Sequence, residues 1–279
     1  MILSRVSCVS FLLFLFAYST EALEVVKVAK EQRELYPRDH YIVSLLEEAL
    51  PKSAYKLTHV PVHPHQQRTL LKLSKGDVDI HWGMTSPDRE TIATAIQVPI
   101  FKGLIGKRIA LIQANRQPEF SSLSTEQLKQ LTAIQGHDWP DTKILAQNGY
   151  RVKPSANYRA MFTVLSRGQV DYFPRSVIEI QDELETFKRF GLSIEQQHLF
   201  TYPAAFYFFV NNDKAELASA LEKGLMKMIA DGRFDKLFDD YFAETLSKLK
   251  LETRQSHLLE NDYFPNRAIL DNTLLWYKK

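Results

Sequence analysis

The sequence predicts an α/β fold in two lobes of similar design, carried on an exported chain. Three observations predict it. Strand-period and helix-period segments alternate with short connections along most of the 279 residues. One unit occurs in each half: Leu73-Ser74-Lys75-Gly76-Asp77-Val78-Asp79 returns as Leu165-Ser166-Arg167-Gly168-Gln169-Val170-Asp171. The only long apolar run lies at the start of the chain, behind a basic residue.

The order of elements begins with that run. Arg5 precedes an apolar stretch from Val6 to Tyr18, and the small residues Ser19 and Thr20 follow, then Glu21 and Ala22. The stretch is short for a membrane span and has the flanks of a secretory signal, so residues 1–22 are expected to be removed after Ala22. An uncleaved anchor is the alternative. Cys8, the sole cysteine, stands at the front of the run, which does not suit a lipid-bearing cysteine at the cut. A mature chain without cysteine has no disulfides and no thiol chemistry, so it must be stabilised by apolar burial.

Val25 to Ala29 reads as the first strand. Asp39 is placed to cap a helix with the apolar face Ile42, Leu45, Leu46, Ala49 and Leu50, which Pro51 ends. Lys56 to Val62 alternates as a strand, Gln66 to Ser74 is helical up to Gly76, and Val78 to Trp82 is a strand. Strand–helix–strand order of this kind predicts a parallel sheet. The pattern resumes with a strand over Arg108 to Gln113, a short helix over Thr125 to Leu131 and a strand at Ala133 to Gln135. Asp141 is read as the cap of a helix that stops at Asn148-Gly149, and Ser155 as the cap of the next, with Tyr158, Met161, Phe162 and Leu165 on its buried face. Ala205 to Val210 is apolar throughout, as in a strand covered on both faces. Helices follow from about Lys214 to Ala230 and along Phe234, Leu237, Phe238 and Tyr241, before a wrapping extension that Trp276 packs down.

The formal charge is +2, and it stays so after removal of residues 1–22, because Arg5 and Glu21 cancel. Such a balance argues against a nucleic-acid partner, which calls for a concentrated basic surface. No cofactor is implied.

Function is expected beyond the ends of the two repeated strands, since open α/β sheets bind ligands outside the carboxyl ends of their strands. The first unit delivers Trp82-Gly83-Met84-Thr85-Ser86-Pro87-Asp88-Arg89 and the second Pro174-Arg175-Ser176. Together with Leu70 to Trp82, Pro99-Ile100-Phe101, Tyr207 to Val210, Leu217, Leu221, Leu225 and Ala230-Asp231-Gly232, these residues form an ordered set over most of 60–242. The set resembles the type II periplasmic solute-binding proteins, in the family that includes the polar amino-acid-binding proteins.

The resemblance implies a type II, two-lobed periplasmic binding protein-like fold with a ligand cleft between the lobes. Lobe 1 is then discontinuous, 23–107 plus 204–279, and lobe 2 is 108–203, with crossings near Leu104–Arg108 and Leu199–Ala205. It implies a periplasmic monomer that closes on a small polar, carboxylate-bearing ligand, an amino acid or a related solute, without altering it. The cargo would go to an ABC permease in the inner membrane or to a membrane sensor. Ligand that touches both lobes only when they are shut shifts the population toward closure; periplasmic binding proteins are themselves a standard example of that motion.

Residue by residue, the resemblance places Arg89 on the ligand carboxylate, a role suited to a planar, two-pronged donor. Thr85 and Ser86 stand beside it with hydroxyls that also suit helix capping, and Met84, Trp82 and Tyr36 are expected to wall the pocket. Across the cleft, Gly136, His137 and Asp138 occupy the place of a glycine-rich anion turn. Two departures stand out. Ser176, next to Arg175, replaces the carboxylate that would receive a ligand ammonium group, with Glu179 or Asp138 as possible stand-ins. The usual turn after the first strand is replaced by Glu31 to Asp39. With Arg89, Arg175 and Arg38 near the cleft, the ligand is expected to be more anionic than an ordinary amino acid.

Two rival readings compete with this one. His59, His63, His65 and His81 lie close in sequence, but Pro64 divides them and no Glu or Cys joins them at metal-site spacing. An enzyme on the same scaffold would draw on Glu90, His137, Asp138 or Glu179, none of which sits in a nucleophile or paired-carboxylate motif.

Overall fold

The computed structural model describes residues 23–32, 36–63 and 65–278; the expected export signal at 1–22 lies outside them. Two main sheets face each other. The first is five-stranded, in the order β2-β1-β3-β11-β4, from β1 (Glu24–Glu31), β2 (Tyr55–Val62), β3 (Ile80–Met84), β4 (Thr94–Ile96) and β11 (Phe206–Val210). β1 pairs in parallel with β2 along its whole length, from Glu24 opposite Tyr55 to Glu31 opposite Val62. The sheet is mixed rather than wholly parallel, because β11 runs antiparallel between β3 and β4. It is the strand on which the chain returns from the second lobe, and so enters from the opposite end.

The second sheet holds β5 (Lys107–Gln113), β8 (Phe173–Ser176), β10 (His198–Thr201) and β12 (Gln255–Leu258), with β9 (Leu192–Ile194) also paired to β5. Beside it β6 (Thr132–Gly136) and β7 (Arg151–Ser155) form a parallel pair, joined to the approach of β8 by the Ala133–Tyr172 bridge. The helices are α1 (Pro37–Ala49), α2 (Gln66–Ser74), α3 (Pro87–Glu90), α4 (Gln117–Phe120), α5 (Thr125–Gln130), α6 (Pro140–Gln147), α7 (Tyr158–Ser166), α8 (Ile180–Thr186), α9 (Ala215–Ala230) and α10 (Arg233–Lys248).

Two helix starts differ from the expectation for one reason. Pro37 and Pro140 each occupy the first turn, where proline's fixed φ and missing N–H cost nothing, so α1 and α6 begin before Asp39 and Asp141. Asp39 still serves the helix start, accepting from the Tyr36 N–H at 2.8 Å. Asp141 is released for another role. Ser155 ends β7, and Asn157 caps α7 in its place, its Oδ1 accepting from the Ala160 N–H at 3.0 Å. The third strand runs two residues later than expected, which puts Trp82 within it and Met84 at its end.

The two crossings lie side by side between the main sheets. Thr201 pairs with Lys107 and Phe200 with Arg108, and the Tyr202 N–H donates to the Gly106 carbonyl at 3.0 Å. The C-terminal segment makes a third passage. Residues 204–279 were expected to belong whole to the first lobe, but β12 adds to the second sheet in parallel with β10. β12 covers the outer edge of β10 from His198 to Thr201, and the His198 Nδ1 and His257 Nε2 nitrogens lie 2.9 Å apart across the join. The chain then returns to the first lobe. Trp276 donates from Nε1 to the Ile269 carbonyl at 2.9 Å and the Tyr277 N–H to the Lys102 carbonyl at 2.9 Å, so Trp276 does pack the extension down.

Each lobe has its own aromatic centre. Beneath the first sheet Tyr41 meets Phe101, Phe238 and Phe242, and its buried hydroxyl donates to the Ile100 carbonyl at 2.7 Å. In the second, Phe162 stacks on Phe187 with centroids 3.8 Å apart and meets Phe173 edge-on.

Candidate functional site

A cavity of about 540 Å³ lies between the lobes. The first lobe supplies Tyr36 and Arg38 at the start of α1, His63 and His65 before α2, Gln66 at its first position, and Trp82 and Met84 on β3. The second supplies Gly136 and Asp138 after β6, Trp139 and Asp141 at α6, Tyr158 on α7, Arg175 on β8 and Glu179 before α8; Arg108 borders it from the crossing strand β5.

The lobes are shut on one another by their own groups. Arg38 pairs with Glu179 across the gap. Arg89 Nη2 donates to the Asp138 carbonyl at 3.0 Å, and the His65 ring nitrogen Nε2 lies 3.0 Å from the Ala156 carbonyl, to which it must donate. The Gln67 N–H reaches Asp138 Oδ2 at 3.4 Å, and the Tyr36 and Tyr158 hydroxyls lie 3.4 Å apart.

Arg89 and the Gly136 turn therefore do meet across one gap, but the protein itself takes up the arginine. Its Nη1 donates to the Met84 carbonyl and its Nη2 to Gln66 Oε1, both at 2.7 Å, in addition to the Asp138 carbonyl. Burial lowers its pKa to about 10, which leaves it cationic at neutral pH. It does not border the cavity. Neither do Thr85 and Ser86: Thr85 Oγ1 donates to Glu90 Oε1 at 2.5 Å, and Ser86 Oγ caps α3 by accepting from the Arg89 N–H at 3.4 Å. Met84, Trp82 and Tyr36 do line the space.

On the second lobe, Gly136 lines the cavity, yet its missing side chain serves the protein, since a Cβ there would collide with the Trp139 ring. Asp138 lines the cavity too, whereas His137 lies outside it, half exposed beside His65. Ser176 is fully buried and donates to the Leu104 carbonyl at 3.0 Å, away from the cavity.

Arg175 borders the cavity with its charge already matched. Its Nε and Nη2 donate to the two oxygens of Glu183 at 2.5 and 2.6 Å, and Nη2 lies 2.9 Å from Glu179. The guanidinium sits between Trp139 and Phe173, 4.8 and 4.9 Å from the ring centres. Arg175 and Arg38 were expected to give the cleft an anion-seeking field; Glu183 and Glu179 cancel it. Burial pushes the Glu183 carboxyl up, but the guanidinium fields and the hydrogen bonds from Arg175 and Tyr158 prevail and hold it below its ordinary value. Tyr158 donates to Glu183 at 2.6 Å and is raised well above the usual phenol value by burial, then by that carboxylate.

His81 is buried and holds its pKa down to about 3 through desolvation and, next, through Arg89, so it is neutral. Among the described residues no three His, Cys, Asp or Glu side chains gather as metal ligands would.

Sequence reasoning passed over Arg108 and Asp141 as site residues, and Glu183 entirely. Asp141 was legible only as a helix cap and Arg108 only as a strand end. Glu183 carries one signal, its i+4 spacing from Glu179, which places both carboxylates on the same side of a helical turn.

No family model matches the sequence, and no curated protein matches it. Among solved structures the fold has many counterparts. It is similar to an ancestral arginine-binding protein bound to arginine, with 18% identity and a TM-score of 0.58 over 78% of this chain and 98% of that one. It is also similar to a probable amino-acid ABC transporter extracellular-binding protein from Bacillus subtilis, at 18% identity and a TM-score of 0.62 over 80% and 99% of the two chains. A third counterpart is an ancestral amino acid-binding protein described as a precursor of cyclohexadienyl dehydratase, at 14% identity and a TM-score of 0.58 over 78% and 95%. At these identities the likeness establishes the two-lobed α/β fold.

Proposed function

We propose that this chain is an exported solute-binding protein that captures an amino acid or a closely related polar solute by lobe closure and hands it to an ABC importer in the membrane. The observation that carries this reading is the cavity of about 540 Å³, bordered by both lobes, with bonds that run from one lobe to the other beside it. Pockets of roughly 300–1,000 Å³ suit small molecules, and a ligand that completes contacts on both sides favours the shut form. Structures of the same fold include proteins bound to arginine, glutamine and lysine. The reading is of capture without chemistry. Asp141 and Glu179 stand in ion pairs with Arg108 and Arg175, an arrangement suited to holding charge rather than passing protons.

Thermal-shift screening of the purified protein against the amino acids, small organic acids and sugars tests it. A true ligand at a hundredfold excess over its Kd stabilises by about 2.7 kcal/mol, and mass spectrometry should recover it unchanged. Conversion of the ligand would overturn the non-enzymatic reading, and a panel without any stabilising member would overturn capture itself. For export, N-terminal sequencing of protein from the periplasmic fraction should begin at Leu23; a cytoplasmic chain starting at Met1 would refute it.

A further inference from the structure

The segment 249–277 leaves α10 in the first lobe, pairs as β12 with β10 of the second, and then returns. On the second lobe it is bonded at several points. Arg254 Nη1 donates to the Glu195 carbonyl at 2.5 Å. His198 Nε2 lies 2.9 Å from the Phe120 carbonyl and must donate to it, so His198 Nδ1 accepts from His257 Nε2 and His257 Nδ1 from the Thr125 hydroxyl. At the end of α6 the Asn148 amide holds both backbone groups of Glu260. Its Oδ1 accepts from the Glu260 N–H at 2.9 Å and its Nδ2 donates to the Glu260 carbonyl at 2.8 Å. Lys143, on the same helix, stands with its Nζ 5.6 Å from the Tyr263 ring centre.

The next residue is already anchored in the other lobe. Phe264 is buried and meets Trp276 edge-on, and the Trp276 ring lies where a Cβ on Gly103 would stand. Asn266 Nδ2 donates at 2.6 Å to Oε1 of Gln97, which follows β4. Lys143 also reaches Asp88 of the first lobe at 3.7 Å, so the chain crosses where the lobes approach each other. An extended chain spans at most about 3.3–3.6 Å per residue, so Tyr263 to Asn266 can bridge about 11 Å and no more. Lobes joined by two adjacent strands alone swing apart through small φ and ψ changes in those strands. A third connection, anchored on α6 and at Gln97 away from that pair, follows the swing only to the limit of its own reach. Beyond it, the buried contacts of Phe264 or the Asn148 bonds must break.

We propose that the C-terminal segment is a strap that limits how far the lobes part and so favours the shut form. The strap rests on the reading of this chain as two lobes that close on a solute. It acts through α6, whose first turn borders the cavity with Pro140 and Asp141 while its far end is tied to Glu260. A narrower swing keeps more of the protein in the binding-competent arrangement, and apparent affinity rises with that fraction.

Pulsed electron resonance distances between two spin labels test the strap. In a Cys8→Ser background, labels at Lys75→Cys on the first lobe and Lys153→Cys on the second, both exposed positions, report the gap. Three or six Gly and Ser residues inserted between Tyr263 and Phe264 lengthen the strap and leave its anchoring residues in place. Closure entropy grows only with the logarithm of loop length, so the fold should bear the insertion. The slackened proteins should show a longer-distance component that the parent lacks, larger with six residues than with three. Distances that superimpose on the parent's overturn the strap, and so does a lowered unfolding midpoint with the distances unchanged. Asn148→Ala, which undoes the hold on Glu260, should shift the distances the same way; where an insertion fails to fold, unchanged distances in this variant overturn the strap instead. These distances are read without solute, so they stand apart from capture. The best binder from the thermal-shift screen should bind the slackened protein more weakly, by the factor by which the shut fraction falls. Undiminished affinity with parted lobes leaves the strap standing and overturns capture by closure.

Discussion

In both halves of the molecule a helix closes on a glycine of positive φ, Gly76 at 73° and Gly168 at 65°, and the same bonds follow. Gly76 N–H donates to Leu73 and Asp77 N–H to Lys72; Gly168 N–H donates to Leu165 and Gln169 N–H to Val164. Two residues beyond, the aspartates match as well. Asp79 N–H donates to the Lys27 carbonyl at 2.7 Å while its carboxylate accepts from the Lys27 N–H at 2.8 Å. Asp171 N–H donates to the Thr132 carbonyl at 2.9 Å while its carboxylate accepts from the Thr132 N–H at 2.7 Å. Each aspartate thereby ties the incoming strand to its neighbour, at Lys27 within β1 and at Thr132, where β6 starts. What the strands then deliver diverges. The first carries neutral Trp82 and Met84 to the cavity, whereas the second carries Arg175 into a buried carboxylate cluster. A shared scaffold has been fitted with an apolar wall on one side and a charged one on the other.

The largest expected effect falls on the charged side. Glu183→Ala leaves Arg175 buried without its main partner, and breaking a buried pair from one side costs about 3–5 kcal/mol. Urea unfolding should show that loss; a change below about 1 kcal/mol would mean that Glu179 alone suffices, and the contrast between the strands would weaken. Next comes pH. His81, on the first of the two strands, is depressed from 6.5 to about 3. The unfolded chain therefore takes up a proton that the folded one refuses, so its contribution is present above pH 6.5 and is lost as pH falls through the interval down to about 3. By pH 5 the loss amounts to about 2 kcal/mol, and His81→Leu should flatten that part of the stability curve. His257, on β12 of the second sheet, is lowered to about 4 by burial and then by His198, and it adds a slope of the same sign. The smallest effect tests the likeness itself. Gly76→Ala and Gly168→Ala each force a side chain into the left-handed region and should cost about 1–2 kcal/mol. Unequal costs would show that the two turns are not equivalent.

Much of this fold was legible in advance because it is local. The glycine turns, the buried helix faces and the all-apolar β11 each follow from a few consecutive residues. The helix starts at Pro37 and Pro140 were misplaced because an aspartate follows, two residues on at Asp39 and one at Asp141, and competes for the same signal; the proline's first-turn preference prevails, and this frees Asp141 for Arg108. The candidate site was half legible. Trp82, Met84, Tyr36, Gly136, Asp138 and Arg175 do line the cavity, while Arg89, Thr85, Ser86, His137 and Ser176 do not. Nothing in the residues around Arg89 reveals that the Asp138 carbonyl, forty-nine positions away, stands within 3.0 Å of it.

The sequence by itself determined the alternation of strands and helices, the repeated unit and the pairing of two lobes, since hydrophobic period and turn chemistry act over a handful of residues. Only the tertiary structure decided which guanidinium meets which carboxylate: Arg38 with Glu179, Arg108 with Asp141, Arg175 with Glu183. Charge pairing in a buried cleft depends on distance and on the water removed as elements converge. Those quantities exist only once the lobes have met.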